Sequence, residues 1–143
     1  MKILIVNGPN LNLLGTREPD IYGNTSMDTV LSNLQNEFKD IDLTYFQTNH
    51  EGEIIDRLQQ EDFDALIINP GAFTHYSYAI ADCLRNIRNP KIEVHISNIY
   101  QREGFRQKSV TAAYTNGLLS GFGMDAYRLG VISLLDSRYK RQL

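Results

Sequence analysis

The 143-residue chain holds a single cysteine, Cys83. No disulfide can form within it, and a reducing compartment is expected. Cys83 itself reads as a small buried apolar residue. No apolar run approaches the ~18 residues that a membrane span needs. Met1-Lys2 passes straight into an apolar stretch, so no signal peptide is expected. Basic residues are not in excess: 14 Lys and Arg against 17 Asp and Glu give a formal charge of -3. Without a basic stripe, nucleic acid is not expected as the main partner. Together these absences point to a soluble, cytoplasmic chain with no membrane contact, forming one domain over residues 1–143.

Familiar cofactor motifs are missing too. There is no G-x-G-x-x-G and no phosphate-cradling P-loop. Pro9 removes a backbone N–H where a phosphate cradle would need one. The first loop lacks the Ser and Thr that a flavin phosphate would want. The three histidines have no metal-ligand spacing, and no serine sits in a nucleophile elbow. Cofactor-free, metal-free acid–base chemistry on a small polar molecule is the reading left standing.

What is present is a regular alternation. Ile3 to Val6 reads as a buried strand, and Ser26 caps a helix to about Phe38 with Val30, Leu31, Leu34 and Phe38 on one face. Ile41 to Phe46 is a second strand. A helix over Gly52 to Gln60 turns Ile54, Ile55 and Leu58 inward. Ala65 to Ile68 is a third strand. Thr74 is expected to cap a helix running to about Arg88. Ile92 to Ile96 is a fourth strand, Val110 to Tyr114 a weaker fifth, and Tyr127 to Leu135 a closing helix. This alternation implies a parallel sheet with helices on both faces. Five strands in this length suggest an α/β, flavodoxin-like fold of order 2-1-3-4-5.

In such a sheet, ligands bind beyond the carboxyl ends of the strands. Strand one ends in Asn7, with Asn10 beyond it; strand three ends in Asn69, followed by Gly71 and His75; strand four ends in His95-Ile96-Ser97. Glu93, His95 and Ser97 share one face of strand four. Either that strand is an exposed edge, or His95 lines the crevice as an acid or base held by Glu93. His75 and Asp82, seven apart on the expected helix, mark either a solvated face or a ligand site. His50 reads as surface, and Tyr100 as packed. The segment from Ser97 to Lys108 carries Arg102, Glu103 and Arg106.

The long polar loop from Asn7 to Gly23 is too long for an ordinary turn. It carries Arg17 and Tyr22. Beside a guanidinium and away from water, a tyrosine's phenolate is favoured, and the residue could act as a general base. For each arginine the plainer alternative is an exposed surface charge.

The ordered stretches Asn7-Gly8-Pro9-Asn10-Leu11-Asn12-Leu13-Leu14-Gly15, Arg17-Glu18-Pro19, Tyr22-Gly23, Asn69-Pro70-Gly71-Ala72, Thr74-His75, Glu93-Val94-His95-Ile96-Ser97-Asn98, Arg102-Glu103, Phe105-Arg106 and Ser120-Gly121-Phe122-Gly123 together resemble the type II 3-dehydroquinate dehydratase signature. The resemblance covers nearly the whole chain. It implies a flavodoxin-like fold and reversible anti loss of water from 3-dehydroquinate through an enolate, in the shikimate pathway. It implies no cofactor, metal or Schiff base. By resemblance, Tyr22 is the base, with Arg17 and Arg102 lowering its pKa. Asn10 holds a water against the enolate oxygen. His95, oriented by Glu93, protonates the departing hydroxyl. Asn69, Ile96 and Ser97 hold the carboxylate, His75 and Arg106 the ring hydroxyls, and Gly71 lies among them. Asp82 would reach in from a neighbouring subunit of a dodecamer built of trimers. Many members have His-Ala in place of Tyr100-Gln101, and Glu in place of Gly104.

From a different class, the alternative is a non-catalytic flavodoxin-like module that binds a small anion or a partner. It leaves Tyr22, Arg17 and His95 in one crevice without a purpose. A hinged lid from Gly15 to Gly23 over a fixed floor from Asn7 to Asn12 fits the enzyme reading better.

Overall fold

A computed structural model describes residues 1–16, 19–22 and 24–136. Five parallel strands form one sheet in the order β2-β1-β3-β4-β5. They are β1 (Lys2–Asn7), β2 (Asp42–Gln47), β3 (Ala65–Asn69), β4 (Lys91–His95) and β5 (Gly117–Ser120). The helices are the single turn α1 (Pro19–Tyr22), then α2 (Met27–Glu37), α3 (Glu51–Leu58), α4 (Tyr78–Asn86) and α5 (Asp125–Leu135). The flavodoxin-like order expected from the alternation is the one found.

Alternation along each strand sorts the core into two layers. Ile3 and Ile5 of β1, with Ile67 and Val94, pack against Met27, Val30 and Leu34 of α2 and Tyr127, Val131 and Leu134 of α5. Leu4 and Val6, with Leu66 and Ile68, pack against Ile54 and Leu58 of α3 and Ile80 and Leu84 of α4. Each such fully buried aliphatic side chain contributes about 1.5–3 kcal/mol. Cys83 is buried in the second layer, as expected. Ser26 caps α2 by accepting the Thr29 N–H, and Arg128 of α5 grips Glu37 of α2 through paired contacts of 2.7–2.9 Å.

Three local expectations are corrected. The stretch from Val110 to Tyr114 is not a strand: Ala112–Tyr114 is a 3-10 turn and β5 lies further on. The Ser109 and Thr111 side chains turn inward to a buried carboxylate, whereas Gly117-Leu118-Leu119-Ser120 is short and begins with glycine, a weak strand signal. Thr74 does not cap a helix. Gly71–His75 is a 3-10 turn, and α4 starts after Ser77, whose hydroxyl accepts the Ile80 N–H. His75 and Asp82 therefore sit on different elements. Tyr100 does not pack: it is 59% exposed. His50 is exposed, as read.

Candidate active site

The floor is built by two strand ends in register, Asn7 of β1 opposite Asn69 of β3. The Gly8 N–H donates to the Asn69 carbonyl at 2.8 Å. A Cβ on Gly8 would stand 2.4 Å from the Pro70 carbonyl oxygen. Gly71, at a φ of +60°, faces Pro9 in the same way, with a Cβ position 3.2 Å from the Pro9 carbonyl oxygen. Each loop thus places its glycine against the other's proline. Asn10 takes a left-handed conformation, φ 67°, which asparagine tolerates. Its N–H donates to Asn49 Oδ1 at 2.9 Å.

Below this floor lies a buried polar chain. The Tyr127 hydroxyl donates to Asn7 Oδ1 at 2.8 Å and accepts from Asn69 Nδ2 at 3.2 Å. Asn69 Oδ1 accepts the Gly71 N–H at 3.1 Å. Tyr127 is fully buried, and burial pushes its phenol well above the usual tyrosine range, so it stays a donor. The Asn69 carboxamide is held at both ends, with its second Nδ2 hydrogen left for the pocket.

The pocket itself, about 40 Å³, is lined by Asn69, Gly71, His75, His95, Ile96, Ser97, Arg102 and Arg106, with Leu11, Ala72 and Ile99 as apolar walls. A wider recess of about 700 Å³ shares Ile96, Ser97 and Arg102, and has Asp20 and Ile21 of α1 on its wall. The carbonyls of His95, Ile96 and Ser97 accept from the Gly121 N–H, the Gly123 N–H and the Ser120 hydroxyl, which anchors the end of β4.

β4 is an inner strand, so the exposed-edge reading of its polar face fails. Glu93 is wholly buried, and its Oε1 lies 2.7 Å from His95 Nε2. Burial alone would raise the Glu93 carboxyl; hydrogen bonds from His95, Thr111 and Thr74 outweigh it and hold the carboxyl below its usual range. An ionised carboxylate only accepts, so Nε2 carries the proton and donates. Nδ1 is then the nitrogen free to take or give a second one. A buried carboxylate beside the ring stabilises the imidazolium.

His75 Nδ1 donates to the Lys108 carbonyl at 2.7 Å, which leaves Nε2 as an acceptor. Burial pushes the His75 imidazole down, helped by the positive neighbours His95, Arg106 and Arg102 and opposed by the Lys108 contact. Arg106 stacks 4.7 Å over the Phe105 ring, with Nε 3.1 Å from Glu103 Oε2. That Nε is buried and, despite the approach, makes no hydrogen bond. Two guanidinium groups and two imidazoles on one small polar pocket suit a hydroxylated anion. Among the described residues, no group of three or more His, Cys, Asp or Glu is arranged to hold a metal ion.

Eight of the residues singled out from sequence line this pocket together. Glu93 lies behind His95 and does not line it. Asn10 lies next to Leu11 at its rim. Asp82 sits exposed on α4 and does not line this chain's pocket. Arg17, Gly23 and the side chain of Tyr22 lie outside the described residues. Thr74, Ser109, Thr111 and Tyr127 were not singled out for the site. Their signal was indirect: a buried Glu and two buried Asn at strand ends must find partners somewhere in the chain.

Residues 1–135 match the family described as Dehydroquinase class II. The chain belongs to that family. Among its relatives, the 3-dehydroquinate dehydratase of Thermotoga petrophila is 54% identical over 133 residues, 92% of each chain. The 3-dehydroquinate dehydratase of Carboxydothermus hydrogenoformans is 49% identical and covers 99% of this chain and 94% of its own. The crystal structure of type II dehydroquinase from Butyrivibrio crossotus matches with a TM-score of 0.91 at 46% identity, covering 95% of this chain and 98% of that one. The departures at Tyr100 and Gly104 fall at exposed positions of this class II scaffold, and a Cβ on Gly104 would meet nothing within 4 Å.

Proposed function

We propose that this chain is the catalytic domain of a 3-dehydroquinate dehydratase, a hydro-lyase that removes water to give 3-dehydroshikimate in the shikimate pathway. The observation that carries the residue roles is the His95–Glu93 pair opening on a pocket that also holds Asn69, His75, Arg102 and Arg106. Elimination of water beside a ketone needs a base for the C–H proton and an acid for the departing hydroxyl. Tyr22 takes the proton as phenolate, favoured by the guanidinium groups of Arg17 and Arg102. The electron pair moves onto the ketone oxygen as an enolate, steadied by a water on Asn10. His95 then gives its Nδ1 proton to the leaving hydroxyl, and Glu93 holds the imidazolium until that moment.

The remaining groups bind. Asn69 Nδ2, the Ser97 hydroxyl and the backbone at Ile96 and Ser97 hold the substrate carboxylate. His75, with Nε2 as acceptor, and Arg106 hold ring hydroxyls, and Gly71 keeps the Asn69 carboxamide turned to its task. The Gly15–Gly23 stretch closes over the substrate. Asp82, exposed on α4, reaches the pocket of a neighbouring subunit in trimers that gather into a dodecamer, working in the cytoplasm. Among the described residues no helix is long and apolar enough to cross a membrane. The test is direct: purified protein mixed with 3-dehydroquinate should produce the ultraviolet absorbance of a conjugated enone. No absorbance from folded protein, over a range of pH, would overturn the reading.

A further inference from the structure

Glu93 is surrounded on the α4 side of the sheet by hydroxyls rather than by hydrocarbon. Thr74 Oγ1 and Thr111 Oγ1 each lie 2.7 Å from the carboxylate, on Oε1 and Oε2. Ser109 Oγ lies 3.0 Å from Oε1 and 2.7 Å from Thr74 Oγ1. Each hydroxyl has a single hydrogen to give. Ser109 Oγ already accepts the Ala112 N–H at 2.9 Å, so its hydrogen points inward. With Thr74 and Ser109 giving their hydrogens to Oε1 and Thr111 giving its hydrogen to Oε2, the carboxylate accepts from all three hydroxyls, which also lie within 3.2 Å of one another.

The same stretch of chain reaches the other histidine. The Lys108 carbonyl receives the His75 Nδ1 proton at 2.7 Å, and the Val110 N–H donates to the Thr74 carbonyl at 2.7 Å. Four consecutive residues, 108–111, therefore touch both sides of the pocket from behind without lining it.

We infer that residues 108–111 are the positioning element of this site, with Thr111 and Ser109 keeping Glu93 an ionised acceptor and Lys108 keeping His75 in its Nδ1–H tautomer. The inference rests on the proposed role of His95 as acid for its effect on rate, but not for its effect on charge state. Thr111 is completely buried and does not line the pocket; its hydroxyl meets Glu93 Oε2 at 2.7 Å and the hydroxyls of Thr74 and Ser109 at 2.8 and 3.2 Å. Removing its hydroxyl leaves Oε2 without a donor in a site where burial already favours the neutral acid. Glu93 then protonates at a higher pH. Its Oε1 still accepts from His95 Nε2, but without a negative charge, and the imidazolium loses its counter-charge. The other charged and titratable groups around the pair are His75 on the 71–75 turn and Arg102 and Arg106, which line the same pocket, and the substitution leaves all three in place.

The test compares Thr111→Val with Thr111→Ser. In Thr111→Val, kcat should fall about tenfold or more at neutral pH with KM within about twofold, and the acid limb of kcat should move up by about one pH. Thr111→Ser, which keeps the hydroxyl, should restore both. A second readout needs no substrate: in carbon NMR of the Glu93 side-chain carboxyl, the titration should move up by a similar amount in Thr111→Val. If Thr111→Val does not fold, Ser109→Ala, which removes a half-buried hydroxyl from Oε1, should show the same upward movement. An acid limb and a Glu93 titration both identical to wild type would overturn the inference. A moved Glu93 titration with an unmoved rate profile would uphold it and instead remove His95 from the role of acid.

Discussion

Gly8 and Pro70 stand so close that a single methyl on Gly8 would lie 2.4 Å from the Pro70 carbonyl oxygen. The contact joins the end of β1 to the end of β3, and backbone offers no flexible side chain that could yield. The spacing of Asn7 and Asn69, and so the width of the pocket floor, depends on it.

Gly8→Ala should therefore destabilise the fold by at least about 1–3 kcal/mol, read as a lower urea midpoint. The surviving folded protein should bind substrate more weakly. By contrast Gly104→Ala, where nothing stands within 4 Å, should leave the midpoint unchanged. Equal midpoints for both variants would contradict the role of the contact.

His95→Gln retains a polar group in the pocket but cannot deliver a proton. Loss of general acid catalysis should lower kcat by about 10²–10⁴-fold, with the affinity for a product analogue little changed. Tyr22→Phe should likewise abolish turnover while the protein still binds the analogue. Stopped-flow absorbance and calorimetric binding separate the two quantities. Substantial turnover in either variant would reassign that residue.

The Tyr127 hydroxyl bridges two buried amides. In Tyr127→Phe, Asn7 Oδ1 and Asn69 Nδ2 lose their partner inside the protein, costing about 1–3 kcal/mol. With one anchor gone, the Asn69 carboxamide can rotate away from the substrate, so KM should rise by up to about tenfold, or ~1.4 kcal/mol. Unfolding curves and steady-state kinetics on one preparation test both effects. A lower midpoint with an unchanged KM would confine Tyr127 to a structural role.

Acid should destabilise the protein in two stages. His75 is held below its ordinary value of 6.5, chiefly by burial, so the unfolded chain binds this proton more readily than the folded one. Stability is fully present above about pH 6.5 and starts to fall as pH drops below it. Glu93 is held below its ordinary 4.5: burial works against this, but the hydrogen bonds from His95, Thr111 and Thr74 prevail. Its contribution is present above that value and disappears as pH falls through the lower, folded one. Urea midpoints should hold level from about pH 8 to about pH 6.5 and decline from there to about pH 3. His75→Gln should flatten the upper stage and Glu93→Gln the lower. A midpoint that rises on acidification would reverse the sign of both arguments.

The parts of this fold legible in the sequence were those written in periodicity. Ile3 to Val6 and Ala65 to Ile68 read as buried strands, and Val30, Leu31 and Leu34 as one helix face. Their order then placed Asn7, Asn69 and His95 side by side, which is how the pocket itself became readable. The illegible parts depended on contacts between distant residues. Thr74 has the chemistry of a helix cap, but a carboxylate 19 residues away takes its hydroxyl, and Ser77 becomes the cap instead. Val110 to Tyr114 has strand composition, but Ser109 and Thr111 are drawn inward to the same carboxylate. Tyr127 reads only as the start of a closing helix; nothing local says that its hydroxyl spans 120 residues to Asn7.

That long reach has a consequence for how the protein comes into being. The floor of the pocket is encoded in the first half of the chain, yet its two asparagines are oriented by a phenol on the last helix. A ribosome that has already delivered β1, β3 and β4 has therefore produced a site whose amides have not found their settled rotamers. Competence arrives only when α5 has emerged and docked. Synthesis arrested before α5 should leave a nascent chain unable to hold substrate, with no need for any separate inhibitory device.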